Sequence, residues 1–172
     1  MPRISKKVCL LGDFAVGKTS LVRRFVYNAF EDKYLATIGV KVSRKTVVLP
    51  VRDGLVELAL LLWDLAGSEE FSAMRASYLR GAAGAILVCD VTRPDTLAGL
   101  TAYVDDMRRV APNAHFVVAV NKIDLPDARL PYAEVDAFAA SLHTSCYLTS
   151  AKTGDQVEET FRHLGRLLVA GD

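Results

Sequence analysis

Residues 8–20 are VCLLGDFAVGKTS, an apolar run followed by a glycine-rich loop. The loop matches the pattern G-x-x-x-x-G-K-[ST], whose fixed positions fall on Gly12, Gly17, Lys18 and Thr19. Such a loop binds phosphate where it joins the end of a strand to the start of a helix. The run KTSLVRRFVYNAF, which begins at Lys18, has apolar side chains at helical spacing. The loop is therefore predicted to join a strand to a helix.

Further apolar runs alternate with helical patterns along the chain. The predicted strands are KVCLLGD, KTVVLP, LVELALLLWD, GAILVCDVT, HFVVAVNKID and SCYLTSAK, with VRDG as a hairpin connection. After the first helix, others are predicted from about Pro94 and over PYAEVDAFAASL and DQVEETFRHLGRLLVA. The helix near Pro94 has an apolar face formed by Leu97, Leu100, Val104 and Met107.

This alternation predicts an α/β fold, and the glycine-rich loop makes it one of the P-loop NTPase type. Unbroken apolar strands favour a mostly parallel sheet, here of six strands, with helices covering both faces. Because the sequence contains no repeat, low-complexity segment or linker, residues 1–172 are predicted to form one domain.

The composition argues against several kinds of partner. The 172 residues are 51% hydrophobic and 24% charged, and a net charge of +1 gives no general attraction to nucleic acid or anionic membranes. No segment approaches the ~20 apolar residues of a membrane span, and no signal peptide is visible. The three cysteines lie in or beside apolar runs, which is typical of reduced thiols. We expect a cytoplasmic monomer without nucleic-acid partners. Its protein partners could bring it to a membrane surface.

The glycine-rich loop supplies several groups suited to an anion. In open parallel sheets, ligands bind beyond the carboxyl ends of the strands, where this loop begins. Lys18 is expected to reach the β- and γ-phosphates of a nucleotide, and the Thr19 hydroxyl to bind Mg²⁺. Backbone N–H groups and the helix start complete the predicted phosphate contacts, which are Asp13, Phe14, Ala15, Val16, Gly17, Lys18, Thr19 and Ser20.

The motif WDLAG places a carboxylate and a glycine at the end of a hydrophobic strand. Asp64 can hold Mg²⁺ there, either directly or through water. Gly67 lets a backbone N–H approach the terminal phosphate because it has no side chain. A strand-terminal aspartate is common, but one downstream of a phosphate loop favours the magnesium role.

Two further strand-end motifs, NKID and TSAK, indicate guanine recognition. The Asp124 carboxylate can accept hydrogen bonds from the N1–H and the exocyclic amine of guanine, whereas adenine has no matching pair of donors. Asn121 is expected to contact the base and to tether the phosphate loop. The Ala151 N–H can bond the guanine carbonyl, and Ser150 can orient Asp124. The remaining predicted contacts in these motifs are Lys122 and Lys152.

These motifs, in this order and spacing, resemble the small GTPases of the Ras superfamily over nearly the whole chain. The stretches YLATIGV, WDLAGSEEF and YLRGAAGAILVCDVT look most like the Rab branch. The resemblance implies a switch that cycles between GTP–Mg²⁺ and GDP states. It also implies that effectors, an exchange factor and a GTPase-activating protein (GAP) bind two switch loops, residues 31–42 (switch one) and 66–78 (switch two).

The resemblance further implies roles for three residues near switch one. Phe30 resembles the aromatic residue that packs against the guanine edge, and Tyr34 resembles the switch tyrosine that lies over the phosphates. Thr37 matches the threonine whose hydroxyl binds Mg²⁺ and whose backbone N–H contacts the γ-phosphate.

The sequence departs from the family at the residue after Gly67. This position usually holds a glutamine that orients the attacking water, and here it is Ser68. Serine is shorter and lacks the amide, so we predict slow intrinsic GTP hydrolysis. The predicted catalytic residues are Lys18, Thr37, Gly67 and Ser68. Two alternatives stay open: a GAP could supply the missing group, or the chain could be a GTP/GDP-binding interaction module with little or no turnover.

Two more departures concern Phe14 and the C-terminus. Phe14 stands where the family usually has a small residue, and its side chain is predicted to point away from the phosphates. There it would hinder an inserted arginine finger or pack on switch two; a tolerated outward-facing aromatic is the alternative. The chain ends RLLVAGD, without the cysteine-bearing tail of most Rab relatives. We expect either a trimmed core domain or a protein with no lipid anchor.

Overall fold

The secondary-structure elements are taken from a computed structural model, which describes residues 1–32, 36–67 and 72–170. The strands are β1 (Arg3–Leu11), β2 (Val40–Val51), β3 (Gly54–Leu65), β4 (Ala82–Asp90), β5 (His115–Asn121) and β6 (Cys146–Leu148). The helices are α1 (Lys18–Tyr27), α2 (Ser72–Leu79), α3 (Asp95–Ala98), α4 (Leu100–Val110), α5 (Tyr132–Ser141) and α6 (Val157–Ala170). Two predicted site residues, Tyr34 and Ser68, lie outside the described ranges.

The strands form one six-stranded sheet in the order β2-β3-β1-β4-β5-β6. β2 and β3 are antiparallel and joined by a tight turn at Arg52 and Asp53, whereas the other neighbouring strands in this order run parallel. The predictions of a mostly parallel sheet and of the VRDG hairpin are confirmed. Because β1 lies between β3 and β4, the strand order reverses there, and such a switch point opens a crevice at the carboxyl ends of the strands.

Helices cover both faces of this sheet, as predicted. On one face the apolar sides of α1 and α6 meet, and the rings of Phe25 and Phe161 stack with centroids 4.1 Å apart. On the other face, α4 and α5 pack on the sheet together with Leu79 of α2. Consecutive strand residues such as Leu10 and Leu11 belong to opposite clusters, as the two-residue repeat of a strand requires. Within the described ranges, no helix combines the length and apolar character that a bilayer span requires.

Apart from shifts at the ends of other strands, three elements differ from the prediction. β2 begins at Val40, earlier than the predicted run KTVVLP, so it overlaps the end of switch one. α2 is a helix that the residue pattern did not predict. The helix predicted from Pro94 is divided at Gly99 into α3 and α4, although its predicted apolar face is buried.

The division at Gly99 coincides with a close approach of the glycine-rich loop. A Cβ atom on Gly99 would collide with the carboxylate of Asp13. Asp13 also hydrogen-bonds Tyr103, one turn further along α4. Glycine at this position therefore lets the helix pack directly on the loop that follows β1.

Candidate functional site

A cavity of about 300 Å³ lies where the loops after β1, β3, β5 and β6 converge. It is bounded by the glycine-rich loop, by the start of α1 and by Thr37. The predicted site residues that line it are Phe14, Ala15, Gly17, Lys18, Thr19, Ser20, Phe30, Thr37, Gly67, Asn121, Lys122, Asp124, Ala151 and Lys152. Side chains far apart in the sequence are thus brought to one space.

Three predicted site residues do not line the cavity themselves but lie next to residues that do. Val16 is fully buried beneath the glycine-rich loop. The Asp13 side chain is directed to Gly99 and Tyr103 rather than into the cavity. Ser150 is also fully buried, and its hydroxyl reaches Asp124.

The glycine-rich loop encloses the ammonium group of Lys18. Lys18 is 6% exposed, and its Nζ donates hydrogen bonds to the carbonyl oxygens of Gly12 (2.8 Å) and Asp13 (3.1 Å). Burial lowers the pKa of Lys18 to about 8, against opposing contributions from Asp64 and Asp13. α1 begins here with no acidic residue in its first turn, so the partial positive charge of the helix start adds to that of the lysine. This end of the cavity suits a multiply charged anion.

Side chains from neighbouring strand ends hold the carbonyl oxygens of the same loop. The hydrogen bonds run from Asn121 Nδ2 to Val16 O (3.0 Å), from Lys122 Nζ to Ala15 O (2.7 Å) and from Arg93 Nη2 to Phe14 O (2.8 Å). The buried Asp90 carboxylate anchors two of these donors, at 3.0 Å from Lys122 Nζ and 3.2 Å from Arg93 Nε. Since a trans peptide group directs its N–H opposite to its carbonyl, these contacts fix the directions of the loop amides.

Three oxygen-bearing side chains meet beside Lys18. Thr19 Oγ1 lies 2.5 Å from Thr37 Oγ1 and donates a hydrogen bond to Asp64 Oδ2. Asp64 is 1% exposed, and its Oδ1 is buried without a hydrogen-bond partner among the described residues. Burial raises the pKa of Asp64, because the charged carboxylate is poorly solvated there. An unsatisfied carboxylate oxygen beside two hydroxyls fits a hard divalent cation such as Mg²⁺.

Gly67 brings the end of β3 against the glycine-rich loop. A Cβ atom on Gly67 would lie 2.6 Å from the carbonyl oxygen of Gly12 and 2.8 Å from the backbone nitrogen of Phe14. Both neighbours are backbone atoms, so a side chain here would require the loop to move. The close approach places Gly67 beside the glycine-rich loop, at the end of the cavity that suits an anion.

The opposite end of the cavity carries an oriented carboxylate. Asp124 is exposed, and its Oδ1 accepts a hydrogen bond of 2.7 Å from Ser150 Oγ. The Ala151 N–H donates a hydrogen bond of 3.3 Å to Asn121 Oδ1, which also accepts one from the Thr149 hydroxyl. A carboxylate and a backbone N–H at one end of a cavity can bond the donors and the carbonyl of a planar base.

The sequence did not predict four residues of the lining, which are Arg23, Glu31, Asp32 and Leu125. Arg23 lies three residues after Ser20 on α1, so the helical repeat could have found it. Glu31 pairs with Arg23 at 3.1 Å, and Asp32 pairs with Lys152 at 3.7 Å. These pairs join separate elements, and no local pattern of the sequence indicates them.

Phe14 is half exposed at the edge of the cavity, with 51% of its surface accessible. Its backbone belongs to the glycine-rich loop, since its carbonyl accepts a hydrogen bond from Arg93 and its nitrogen lies beside Gly67. A phenylalanine is therefore compatible with the loop geometry. Its effect on catalysis stays a prediction.

The loop between β1 and α1 has the strand–loop–helix context that the phosphate-binding motif requires. Its lysine is held by carbonyl oxygens of the loop itself. Together with the order of the strands, this loop defines the class of the protein as an α/β P-loop NTPase.

Comparison with known proteins narrows this class. A model of the Ras family matches residues 7–170. The chain is 38% identical to the Ras-related protein Rab-31 of Homo sapiens over 162 residues, which cover 93% of this chain and 81% of that protein. It is 40% identical to the Ras-related protein Rab-22A of Canis lupus familiaris over 169 residues, which cover 96% and 84% respectively.

The chain belongs to the Ras family, and these relatives assign it to the Rab branch of the small GTPases. Members of this family bind GTP and GDP, generally with Mg²⁺, hydrolyse GTP, and interact with effectors, exchange factors and GAPs. The family-level description of a GTP-binding switch therefore applies to this chain.

Proposed function

We propose that the cavity binds GTP or GDP together with Mg²⁺, and that partners distinguish the two nucleotide states through switch one and switch two. One observation carries this proposal: Lys18, Thr37, Gly67 and Asp124, from four separate segments, line a single cavity. A guanine nucleotide has an anionic end and a planar base, which match the two chemically different ends of this space.

At the anionic end, we assign phosphate binding to Lys18 and to the amides of the glycine-rich loop. A bound phosphate would restore the pKa of Lys18 above its lowered value of about 8, since an adjacent negative charge favours the ammonium form. Thr19, Thr37 and Asp64 would hold Mg²⁺, which when bound neutralises charge on the phosphates. The unpartnered Oδ1 of Asp64 supports this assignment.

At the base end, we assign guanine recognition to Asp124, Asn121 and Ala151, with Phe30 against the edge of the ring. The hydrogen bond from Ser150 supports this role, because it holds the carboxylate in one orientation. Adenine would leave the oriented carboxylate without its pair of donors, and an unpaired polar group costs binding free energy.

We further propose that intrinsic GTP hydrolysis is slow. The support is the serine at position 68, which lacks the amide that would orient the attacking water. The same serine also favours a second candidate, a GTP/GDP-binding interaction module with little or no turnover. Measuring phosphate release with and without candidate GAPs separates the two, because the module predicts no release under either condition.

Effectors, an exchange factor and a GAP are proposed to bind segments 31–42 and 66–78. Exposed apolar side chains in the described parts of these segments support this proposal, namely Ile38 (93% exposed), Val42 (53%) and Met74 (53%). We also propose that residues 1–172 form one domain and that the protein is monomeric and cytoplasmic. Sedimentation of the purified chain and fractionation of cells would test the last two points.

Competition for a fluorescent GDP analogue would test the proposed site directly. We expect unlabelled GDP and GTP to displace the analogue, ADP and ATP to fail even in large excess, and removal of Mg²⁺ with EDTA to accelerate release. Asp124→Asn is the matched variant, since it keeps the shape of the side chain but removes the charge that accepts both guanine donors. Equal competition by ADP, or no effect of Asp124→Asn on GDP binding, would contradict the proposal.

A further inference from the structure

We propose that Arg24 of α1 is a positioning residue for guanine recognition. In this proposal, Arg24 fixes the loop that follows β6, residues 149–154, and that loop in turn holds the Asp124 carboxylate. The inference rests on the proposed function, because it adds a residue to the same nucleotide site. Arg24 is not among the residues that line the cavity, so its effect on the base would be transmitted through the loop.

The guanidinium of Arg24 joins α1 to this loop by two short hydrogen bonds. Its Nε donates to the carbonyl oxygen of Ala151 at 2.8 Å, and its Nη2 donates to the carbonyl oxygen of Lys152 at 2.6 Å. Its Nη1 donates to Asn28 Oδ1 at 3.0 Å, which fixes the guanidinium against the end of α1. A planar fork of donors can hold two successive carbonyls in this way, whereas a single ammonium group cannot match the same geometry.

The second of these bonds continues toward Asp124 through a peptide group. Arg24 holds the carbonyl of Lys152, and the N–H of the same peptide, which belongs to Thr153, donates to Ser150 Oγ at 3.0 Å. Ser150 Oγ in turn donates to Asp124 Oδ1 at 2.7 Å. Because the peptide group is planar, fixing its carbonyl also fixes the direction of its N–H. The bonds therefore form a continuous chain from Arg24 to Asp124.

The middle of this chain is shielded from water. Ser150 is fully buried, and the loop is closed by a hydrogen bond of 2.8 Å from the Gly154 N–H to the Ser150 carbonyl. Asp124 itself is exposed, so the Ser150 hydroxyl is the described contact that orients its carboxylate. Loss of the Arg24 bonds would free the Lys152 peptide to rotate and would release Ser150 from its donor. The carboxylate would then be less well oriented for the base.

A change in base selectivity distinguishes positioning from a purely structural role. Inosine diphosphate (IDP) retains the N1–H and carbonyl of guanine but lacks the exocyclic amine. When Asp124 is accurately oriented, its hydrogen bond with that amine strengthens the binding of GDP relative to IDP. When Asp124 is poorly oriented, this difference in affinity is smaller. Loosening of the cavity as a whole would instead lower the affinities for GDP and IDP by the same factor.

The test compares Arg24→Lys with Arg162→Lys. Arg24→Lys keeps the charge and the aliphatic stem but loses the fork. Arg162 is the matched control, because its Nη2 also donates to the carbonyl of a distant element, Val48 O at 2.8 Å, and it does not line the cavity. For Arg24→Lys we expect GDP release about tenfold faster and a ratio of GDP to IDP affinity about threefold lower, as expected for loss of a charged hydrogen bond. For Arg162→Lys, we expect both quantities to stay at the wild-type value.

If Arg24→Lys also lowers the stability of the protein, a second variant tests the chain of hydrogen bonds from Arg24 to Asp124. Ser150→Ala removes the hydroxyl that links the Thr153 N–H to Asp124, and we expect it to lower the ratio of GDP to IDP affinity as well. Combined with Arg24→Lys, it should add little further loss of selectivity, because both substitutions interrupt one chain. Thermal unfolding of each variant would establish that it is folded.

Several results would overturn the inference. Equal weakening of GDP and IDP by Arg24→Lys, an unchanged GDP release rate, additive losses in the double variant, or an unaltered ratio in Ser150→Ala would each do so. These results differ from failure of the proposed function itself. In that case the wild-type protein would bind neither GDP nor IDP.

Discussion

We propose that the rate of GTP hydrolysis depends on the residue after Gly67, where this chain has Ser68. We predict that Ser68→Gln accelerates single-turnover GTP hydrolysis on the order of tenfold, because the amide can both donate to and accept from the attacking water. Quantifying GTP and GDP by chromatography after quenching would give the rate. An unchanged or lower rate in Ser68→Gln would remove Ser68 as the cause of slow turnover.

A second prediction concerns Phe14, which lies at the edge of the cavity. The backbone of Phe14 is held by Arg93 and packs beside Gly67, while half of its surface is accessible. Phe14→Gly should therefore alter GAP-stimulated hydrolysis or partner binding more than it alters the affinity for GDP. Titration with labelled GDP and hydrolysis assays with candidate GAPs would compare the two effects. A large loss of GDP affinity, with hydrolysis unaffected, would be the opposite result.

Some residues of the candidate site could be predicted from the sequence, and others could not. The sequence could place Lys18, Asp64 and Asp124 in one region, because each belongs to a motif at or after the carboxyl end of a strand. Arg24 could not be predicted in this way, because it contacts carbonyl oxygens 127 and 128 residues away, and every residue carries a carbonyl. A contact of that kind depends only on how the elements pack.

At the scale of elements, the buried Asp90 at the end of β4 joins the next turn to the glycine-rich loop. Its Oδ1 accepts hydrogen bonds from the N–H and hydroxyl of Thr92, and its Oδ2 pairs with Lys122 and Arg93. Although burial alone would raise the pKa of Asp90, the bonds from Thr92 and Lys122 outweigh it and hold the pKa below its usual value of 3.8.

We predict that Asp90→Asn lowers the free energy of unfolding at pH 7 by about 2 kcal/mol, because the half-buried cations of Lys122 and Arg93 lose the charge of their buried partner while water still screens part of the loss. A carboxyl group with a lowered folded-state pKa stabilises the protein above its unfolded-state pKa, and that contribution disappears as the pH falls through the folded-state value. The difference between wild type and variant should therefore shrink below about pH 4. Urea unfolding at a series of pH values would measure it, and a pH-independent difference would refute the role of the charge.

The predicted and the missed elements differ in where their stabilisation comes from. The central strands could be predicted because both of their faces are buried, which produces unbroken apolar runs. α2 has no such pattern, and Arg75 ties it to α4 by pairing with Asp106 at 2.6 Å and lying over the ring of Tyr103. The first part of β2 alternates polar and apolar residues at the edge of the sheet, where its pairing with β3 extends it.

At the scale of the whole molecule, the site depends on the reversal of strand order at β1. The reversal brings the ends of β1, β3, β5 and β6 around one crevice, and each of these ends carries a motif that the sequence had indicated. A nucleotide in this crevice would contact segments from the beginning, middle and end of the chain. Its binding should therefore stabilise the entire fold, in proportion to the logarithm of its concentration over its dissociation constant.

The proposal that the cavity binds a guanine nucleotide is tested most directly by identifying the nucleotide that remains bound to the purified wild-type protein. The protein would be denatured and the released nucleotide identified and quantified by chromatography, at once and after timed incubation with GTP and Mg²⁺. We expect about one guanine nucleotide per chain, with loaded GTP converted only slowly to GDP. A protein that carries an adenine nucleotide, or that neither retains nor takes up a guanine nucleotide, would contradict it.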